Sequence, residues 1–514
     1  MEKQAKVKKK YTLFTGKQLL WLILPIVIEQ IFSTSLGFFD SLIVSNIPVD
    51  GSNVSNAVGN VDYINNLIIQ LFSAFATGGA IITSQFLGAK DNASANKSAK
   101  QMLMLVICIS CAIAGLSVAL NWPILKLLYS EVEGDVFRYM QLYFYITAAS
   151  FPFIGLFNAC AALLRAQRKS TITMVSAAIS CFVNIGLDLL LIFVAKWGVV
   201  GAGLATLFCR AIPAIFMLAL LGRRKNTVCV RIFERFRFEG AMIKKILKIA
   251  IPSGIESALF QLGKLLTNTF VNVGYYAHDT AVFDAATGKY INIQANGNTI
   301  ANQINNYASV VGGGVGTSCI TVIGQAVGAG DPDQVKHYMK KMFLLSYIAN
   351  GICVAVILGL VPVIVPLYGY LADAKQVGKY CLYFCLLFQF VTYPLSFTTP
   401  GILKATSDVK YVMYSAVISM FVMRVGLAFL LTTDKIPNLP KLGAFGYWIG
   451  MCSDWVLRSV LFLSRLLSGR WRKASGLLKE RTDDGSGDGG ETAEGAAAAE
   501  VVVEEGEKRV TESV

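Results

Sequence analysis

Residues 64–91 read INNLIIQLFSAFATGGAIITSQFLGAKD, and residues 304–331 read INNYASVVGGGVGTSCITVIGQAVGAGD. The two stretches open on Ile-Asn-Asn, align Thr77 with Thr317 and Gln85 with Gln325, and close on Gly-Ala-x-Asp. The match extends outward. LYF at 142 meets LYF at 382, LLRA at 163 meets ILKA at 402, and GVVG at 198 meets GAFG at 443. Upstream, Pro25 and Glu29 return as Pro252 and Glu256. The chain is therefore a tandem duplicate. The offset grows by about thirteen residues within the second copy, which places an insertion in the 276–297 loop, read either as a cap on the outer mouth or as a tolerated insertion.

The duplicated unit is built for lipid. The 514 residues are 54% hydrophobic and only 15% charged, against roughly 25% charged in soluble proteins. About twelve apolar runs reach the roughly 20 residues that a bilayer-crossing helix needs. The expected fold is an all-α integral membrane protein, with twelve transmembrane helices in two six-helix repeats forming two lobes around a central cavity. The expected division is a basic N-terminus 1–17, an N-lobe 18–221, a linker 222–245, a C-lobe 246–470 and a tail 471–514. Six helices is an even number, so both copies insert the same way, and parallel repeats of this kind are a transporter signature.

Lys and Arg concentrate in alternate loops, such as KDNASANKSAK, RAQRKS, KHYMKK and RLLSGRWRK. This positive-inside pattern predicts cytoplasmic N- and C-termini in a plasma membrane. The formal charge of +14 then reflects topology and contact with membrane lipids, with no nucleic-acid partner. The stretch from 482 onward is acidic, Gly/Ala-rich and aperiodic, and reads as disordered. CISC at 108–111 has redox spacing but sits mid-helix, and the eleven Cys read as packing residues. His278 and His337 read as loop residues. No enzyme motif is present: a membrane transferase would show a carboxylate cluster in a loop, and EVEGD at 131–135 reads as solvated. No cofactor is expected.

Ionisable groups inside a span are costly and mark function. Asp40 and Glu29 lie eleven residues apart on the first span, within about 20° of one face. On the fifth, Asn184 and Asp188 are one turn apart. Thr206 on the sixth adds a hydroxyl, one turn from Ala202. Two carboxylates and an amide in a low-dielectric cavity can hold a cation or share a proton. Alternatively, Asp188 pairs with Arg210.

The ordered set PIVIEQ…FFDSLIVS, VGNV, LLRAQ, NIGLDLLLIF and GVVGAGLAT resembles the multidrug and toxic compound extrusion (MATE) transporters. The second-half motifs IPSGIESALF, NNYASVVGGGVGTSCITVIGQAVGAGD and GAFGYWIGMCSDW fit as well. The resemblance implies an antiporter that exports drugs or organic cations in exchange for Na+ or H+; zwitterionic metabolites are a further candidate substrate, and a monomer is expected. It also implies a coupling site at Asp40, Asn184, Asp188 and Thr206, with Ala202 offering its carbonyl.

Glu29, Gln30, Glu256, Gln261, Lys264 and Arg424 are the candidate residues of the substrate cavity. Glu29 reads equally well as a structural acid. Ser45 stands where the family usually has Gly. Phe260 stands where some members carry an acid, eight residues after the proline of the seventh helix. An unpaired Lys264 would repel organic cations and suits an anionic or zwitterionic substrate, or a lipid-linked oligosaccharide flippase of the same fold superfamily. Asp454 and Arg458, one turn apart, read as a structural ion pair.

Overall fold

The computed structural model describes residues 13–47, 51–129, 132, 134–230, 237–273, 281–284, 289–433 and 441–477. The acidic tail from 482 lies outside them, as do His278 and two of the acids of the 131–135 loop. Among the described residues twelve helical spans follow one another. The first copy supplies α1 (Gly16–Ser45), α2 (Gly51–Gly88), α3 (Asn92–Ala119), α4 (Asp135–Ala149 and Phe151–Ala166, bent by 44° at Ser150), α5 (Ser170–Val194) and α6 (Gly198–Leu221). The second supplies α7 (Gly240–Val273), α8 (Ile293–Gly328), α9 (Pro332–Leu367), α10 (Ala372–Ala405), α11 (Val409–Thr432) and α12 (Ala444–Leu467). Nine single helices and the bent pair are long and apolar enough to cross a membrane. The two spans that fall short, α7 and α12, carry Glu256 with Lys264 and Asp454 with Arg458 in their middles.

The repeated Gly-Ala-x-Asp is a helix-to-helix turn. Gly88 and Gly328 end α2 and α8, and Lys90 and Gly330 take positive φ, 63° and 77°. Asp91 and Asp331 then cap the next helix, accepting from Ser94 N (2.9 Å) and from Asp333 N (2.9 Å). A short side chain that satisfies the free N–H groups of a first turn is what such a cap requires. The hydrogen bonds from Ser94 hold the exposed Asp91 carboxyl below the ordinary carboxylate range. The duplication persists in the backbone elsewhere: Arg168 and Ser407 share φ of 63° and 64°, and Gly198 and Gly443 both have φ 54°.

Three spans contain π-helical turns. Leu189–Val194 in α5, Pro394–Thr398 in α10 and Met420–Leu427 in α11 are π-helical, with wider turns that hold about one extra residue. The insertion before α8 carries a hairpin, β1 (Ala281–Asp284) and β2 (Lys289–Asn292), paired antiparallel with Ala281 opposite Asn292. This adds a small strand pair to the expected all-helical chain. The rest of that loop, and any role as a cap, lies outside the described residues. His337 is within α9, not in a loop.

The lobes meet through α1 and α2 against α7 and α8, with α1 on α8 and α2 on α7. Each lobe has its own apolar clusters, for example Phe72, Phe144 and Phe151 in the first and Leu382, Leu386 and Trp448 in the second. Trp21, Phe182, Ile352, Leu387 and Val422 are exposed on the outside of the bundle, where acyl chains would cover them.

At the end that carries the basic loops the lobes interlock symmetrically. Gln85 Nε2 donates to Ala405 O (3.0 Å), and Gln325 Nε2 donates to Ala166 O (2.8 Å). Arg168 donates through Nε to Gln325 Oε1 (2.9 Å) and lies 3.9 Å from the Phe14 ring centre. A Cβ on Gly88 would sit 2.0 Å from Gln325 O, and one on Gly328 only 1.8 Å from Gln85 O. Only glycine permits this approach. Away from this seal the lobes part around a cavity.

Candidate functional site

In the N-lobe, α1 brings Asp40 against Asn184 and Asp188 of α5. The three side chains are 6%, 1% and 0% exposed, yet Asp40 Oδ1, both Asp188 oxygens and both Asn184 amide atoms lack a hydrogen-bond partner. Buried polar atoms are almost always partnered, so five orphans together mark a place kept for something else. Thr206 Oγ1 donates to Ala202 O (2.9 Å), which leaves the hydroxyl oxygen free to accept. Carboxylate, amide and hydroxyl oxygens suit a hard cation, and facing carboxylates can equally share a proton. Among the described residues no three His, Cys, Asp or Glu converge on one point, so any ion held here must take oxygens from Asn184, Thr206 or the backbone.

Asp40 fronts a cavity of about 800 Å³ whose lining includes Gln30, Asp62, Tyr143, Thr206 and Gln261, while Asn184 and Asp188 are not on its wall. One group here escapes a sequence reading. Asp62 of α2 accepts from Asn65 Nδ2 (3.1 Å) and Tyr143 Oη (3.4 Å). Arg210 donates to Ser150 Oγ (2.8 Å) at the bend in α4 and faces both Asp40 and Asp62, without forming an ion pair with Asp188.

Two of the expected cavity residues lie elsewhere. Glu29 lines neither cavity: it accepts from Arg165 Nη1 (2.6 Å) and Thr173 Oγ1 (2.5 Å), tying α1 to α4 and α5. Its counterpart Glu256 pairs with Lys404 Nζ (2.8 Å), tying α7 to α10. A signal for this pairing exists in the sequence, since Glu29 recurs as Glu256 and the base of LLRA recurs in ILKA. Arg424 is also off the cavity wall. It lies in the π-helical part of α11, is 1% exposed, and its Nε is 3.4 Å from Asp454 Oδ2.

The remaining expected residues do line cavities. Gln30 borders the larger one. Glu256, Lys264 and Gln261 line a second space of about 370 Å³ with Phe260, Lys404 and Arg458. Here Phe260 is ringed by Lys264 Nζ, Arg424 Cζ and Arg458 Cζ at 5.1, 5.2 and 5.0 Å from its centre. Asp454 accepts from Arg458 Nη2 (3.2 Å) and Ser419 Oγ (2.5 Å), which makes the expected Asp454–Arg458 pair part of a triad with Arg424.

Residues 25–190 and 295–430, one block in each repeat, match the family model MatE. The chain belongs to the MatE family. It is 23% identical over 484 residues to a probable multidrug resistance protein NorM of Thermotoga maritima, covering 91% of this chain and 96% of that one. It is 27% identical over 262 residues to the multidrug export protein MepA of Staphylococcus haemolyticus, covering 51% and 57%. Its fold is similar to a structure described as the outward-facing conformation of a multidrug resistance MATE family transporter, with a TM-score of 0.76 and 21% identity over 89% of this chain and 96% of that one. As a MatE member the protein is a multi-span membrane transporter and not an enzyme.

Proposed function

We propose that this MatE chain is a secondary active antiporter that exports drug-like organic molecules in exchange for Na+ or H+. It works in the plasma membrane as a monomer, with the basic end and both termini on the cytoplasmic side. The observation that carries the reading is the set of orphaned oxygens on Asp40 and Asp188 beside Asn184, with Asp40 on the wall of a cavity of about 800 Å³. A cation or proton arriving there neutralises facing carboxylates. The energy that opposes their approach is thereby removed, and α1 can shift. Pro25 and Gly37 lie within this helix, and a proline inside a helix gives it a place to bend. The same orphans argue against a lipid-linked oligosaccharide flippase, whose pyrophosphate they would repel.

The test is efflux of a fluorescent organic cation from proteoliposomes under a Na+ gradient or a pH gradient, imposed separately. One gradient should drive efflux, and Asp40→Asn should reduce it by about 5- to 150-fold, the range of a coupling energy of about 1–3 kcal/mol. Equal efflux by Asp40→Asn and wild type would remove Asp40 from coupling. Folded protein that is idle under both gradients would remove organic cations from the reading.

A further inference from the structure

The charges inside the two lobes have opposite sign. At the N-lobe cavity Asp40 and Asp62 face one base, Arg210, and Asp188 lies behind Asp40. Around the C-lobe cavity Lys264, Lys404, Arg424 and Arg458 stand against two acids, Glu256 and Asp454. Glu256 is taken by Lys404, and Asp454 is shared by the two arginines, so Lys264 has no carboxylate partner among the described residues. The arginines are incompletely satisfied as well. Arg424 Nε and Nη1 and Arg458 Nε are buried without a hydrogen-bond acceptor, and Arg458, 4% exposed, forms part of the cavity wall. Two buried arginines share the single carboxylate of Asp454, and the exposed Lys264 ammonium beside them leaves the cluster around Phe260 with a net positive charge that an anion would offset. Guanidinium N–H groups and an ammonium are the donors that carboxylate, sulfonate and phosphonate oxygens accept from.

The two cavities adjoin. Gln70, Gln261 and Gly313 line both. A molecule seated across that junction meets acids at one end and bases at the other.

We propose that the C-lobe pocket formed by Phe260, Lys264 and Arg458 holds the anionic group of the transported molecule, so that the preferred substrate is zwitterionic, with its cationic part toward the N-lobe acids. This rests on the exporter reading above and narrows its substrate class. Ser257, Thr317 and Ser396 on the same wall add hydroxyls to complete the anion's hydrogen bonds. A lipid headgroup offers the same chemistry, and the test separates the two sources.

Rhodamine B, a zwitterion, and its ethyl ester, a cation, differ only in the free carboxylate. Their binding to the full chain in phosphatidylcholine nanodiscs is read by fluorescence anisotropy against empty discs. The zwitterion should bind at least about tenfold more tightly, as a charge-assisted bond gained by one ligand and not by the other predicts. Lys264→Gln should erase that difference and Lys264→Arg should restore most of it, with thermal unfolding showing that both variants are folded. Equal binding of both dyes by wild type overturns the pocket assignment and leaves the exporter reading standing. A preference that survives in Lys264→Gln overturns it too. A preference lost when phosphatidylglycerol replaces phosphatidylcholine gives the pocket to a lipid headgroup and overturns the assignment to substrate. Failure to bind either dye overturns both readings, while the wild-type comparison stands whatever the variants do.

Discussion

Arg165→Met is expected to destabilise the protein by about 3–5 kcal/mol, the range for stranding one member of a buried ion pair. Glu29 is 3% exposed, and its carboxylate accepts from Arg165 on one oxygen and Thr173 on the other. Methionine fills much of the arginine's volume, so the loss reports charge and hydrogen bonds more than a cavity. It leaves a carboxylate with one hydroxyl for company in a low-dielectric interior. Thermal unfolding in detergent measures the effect. Adding Glu29→Gln to Arg165→Met should recover most of the loss, because a neutral amide needs no counter-charge, and the double-mutant cycle isolates the pair. An unchanged midpoint in Arg165→Met would show that the pair is dispensable. Lys404→Met should cost less, since the acid it strands is more open, the Glu256 side chain being 12% exposed against 4% for Glu29, and borders a cavity that water can enter.

Gly328→Ala is expected to abolish the seal at the basic end. The new Cβ would stand 1.8 Å from the carbonyl oxygen of Gln85 and 2.7 Å from its carbon. Both atoms belong to the backbone of α2, so no side-chain rotation relieves the overlap and the helices themselves must separate. Separation breaks the paired bonds from Gln85 to Ala405 and from Gln325 to Ala166. The closed arrangement is thereby penalised relative to one open at this end. A shift of about 5.5 kcal/mol is enough to invert a 99:1 population. Hydrogen exchange reads the change: amides in 85–91 and 325–331 should exchange faster in Gly328→Ala, and in Gly88→Ala, than in wild type. Gly115→Ala is the control, since nothing lies within 4 Å of its Cβ. Unaltered exchange in Gly328→Ala would mean that the seal does not depend on this contact.

What could be read without coordinates follows the range of the physics involved. Twelve spans were legible because apolar length is a local property. Asp40, Asn184 and Asp188 were legible because an acid in an apolar run stands out and helical spacing puts the last two on one face. Asp62 was not, because its flanks, GNV and YINN, are polar enough to hide it. The partner of Glu29 lies 136 residues away, in a stretch whose arginines read as a basic loop. Only the packing of α4 on α1 and α5 shows that Arg165 turns inward. Arg424 read as a cavity base because no local pattern reports that a π-turn sets it against Asp454. The cations around Phe260 come from three helices, and no spacing rule joins them.

The π-turns of α5, α10 and α11 also give these spans slack in length. A π-turn stores one surplus residue, so losing a single residue from Leu189–Val194 would tighten the turn to α and leave the flanking stretches on their faces. The same deletion within Ser170–Asp188 would rotate everything beyond it by about 100° and swing Asp188 away from Asp40. Single-residue deletions are thus tolerable at three defined points in the membrane, two of them beside a buried charge: Asp188 at the mouth of one, and Arg424 inside another.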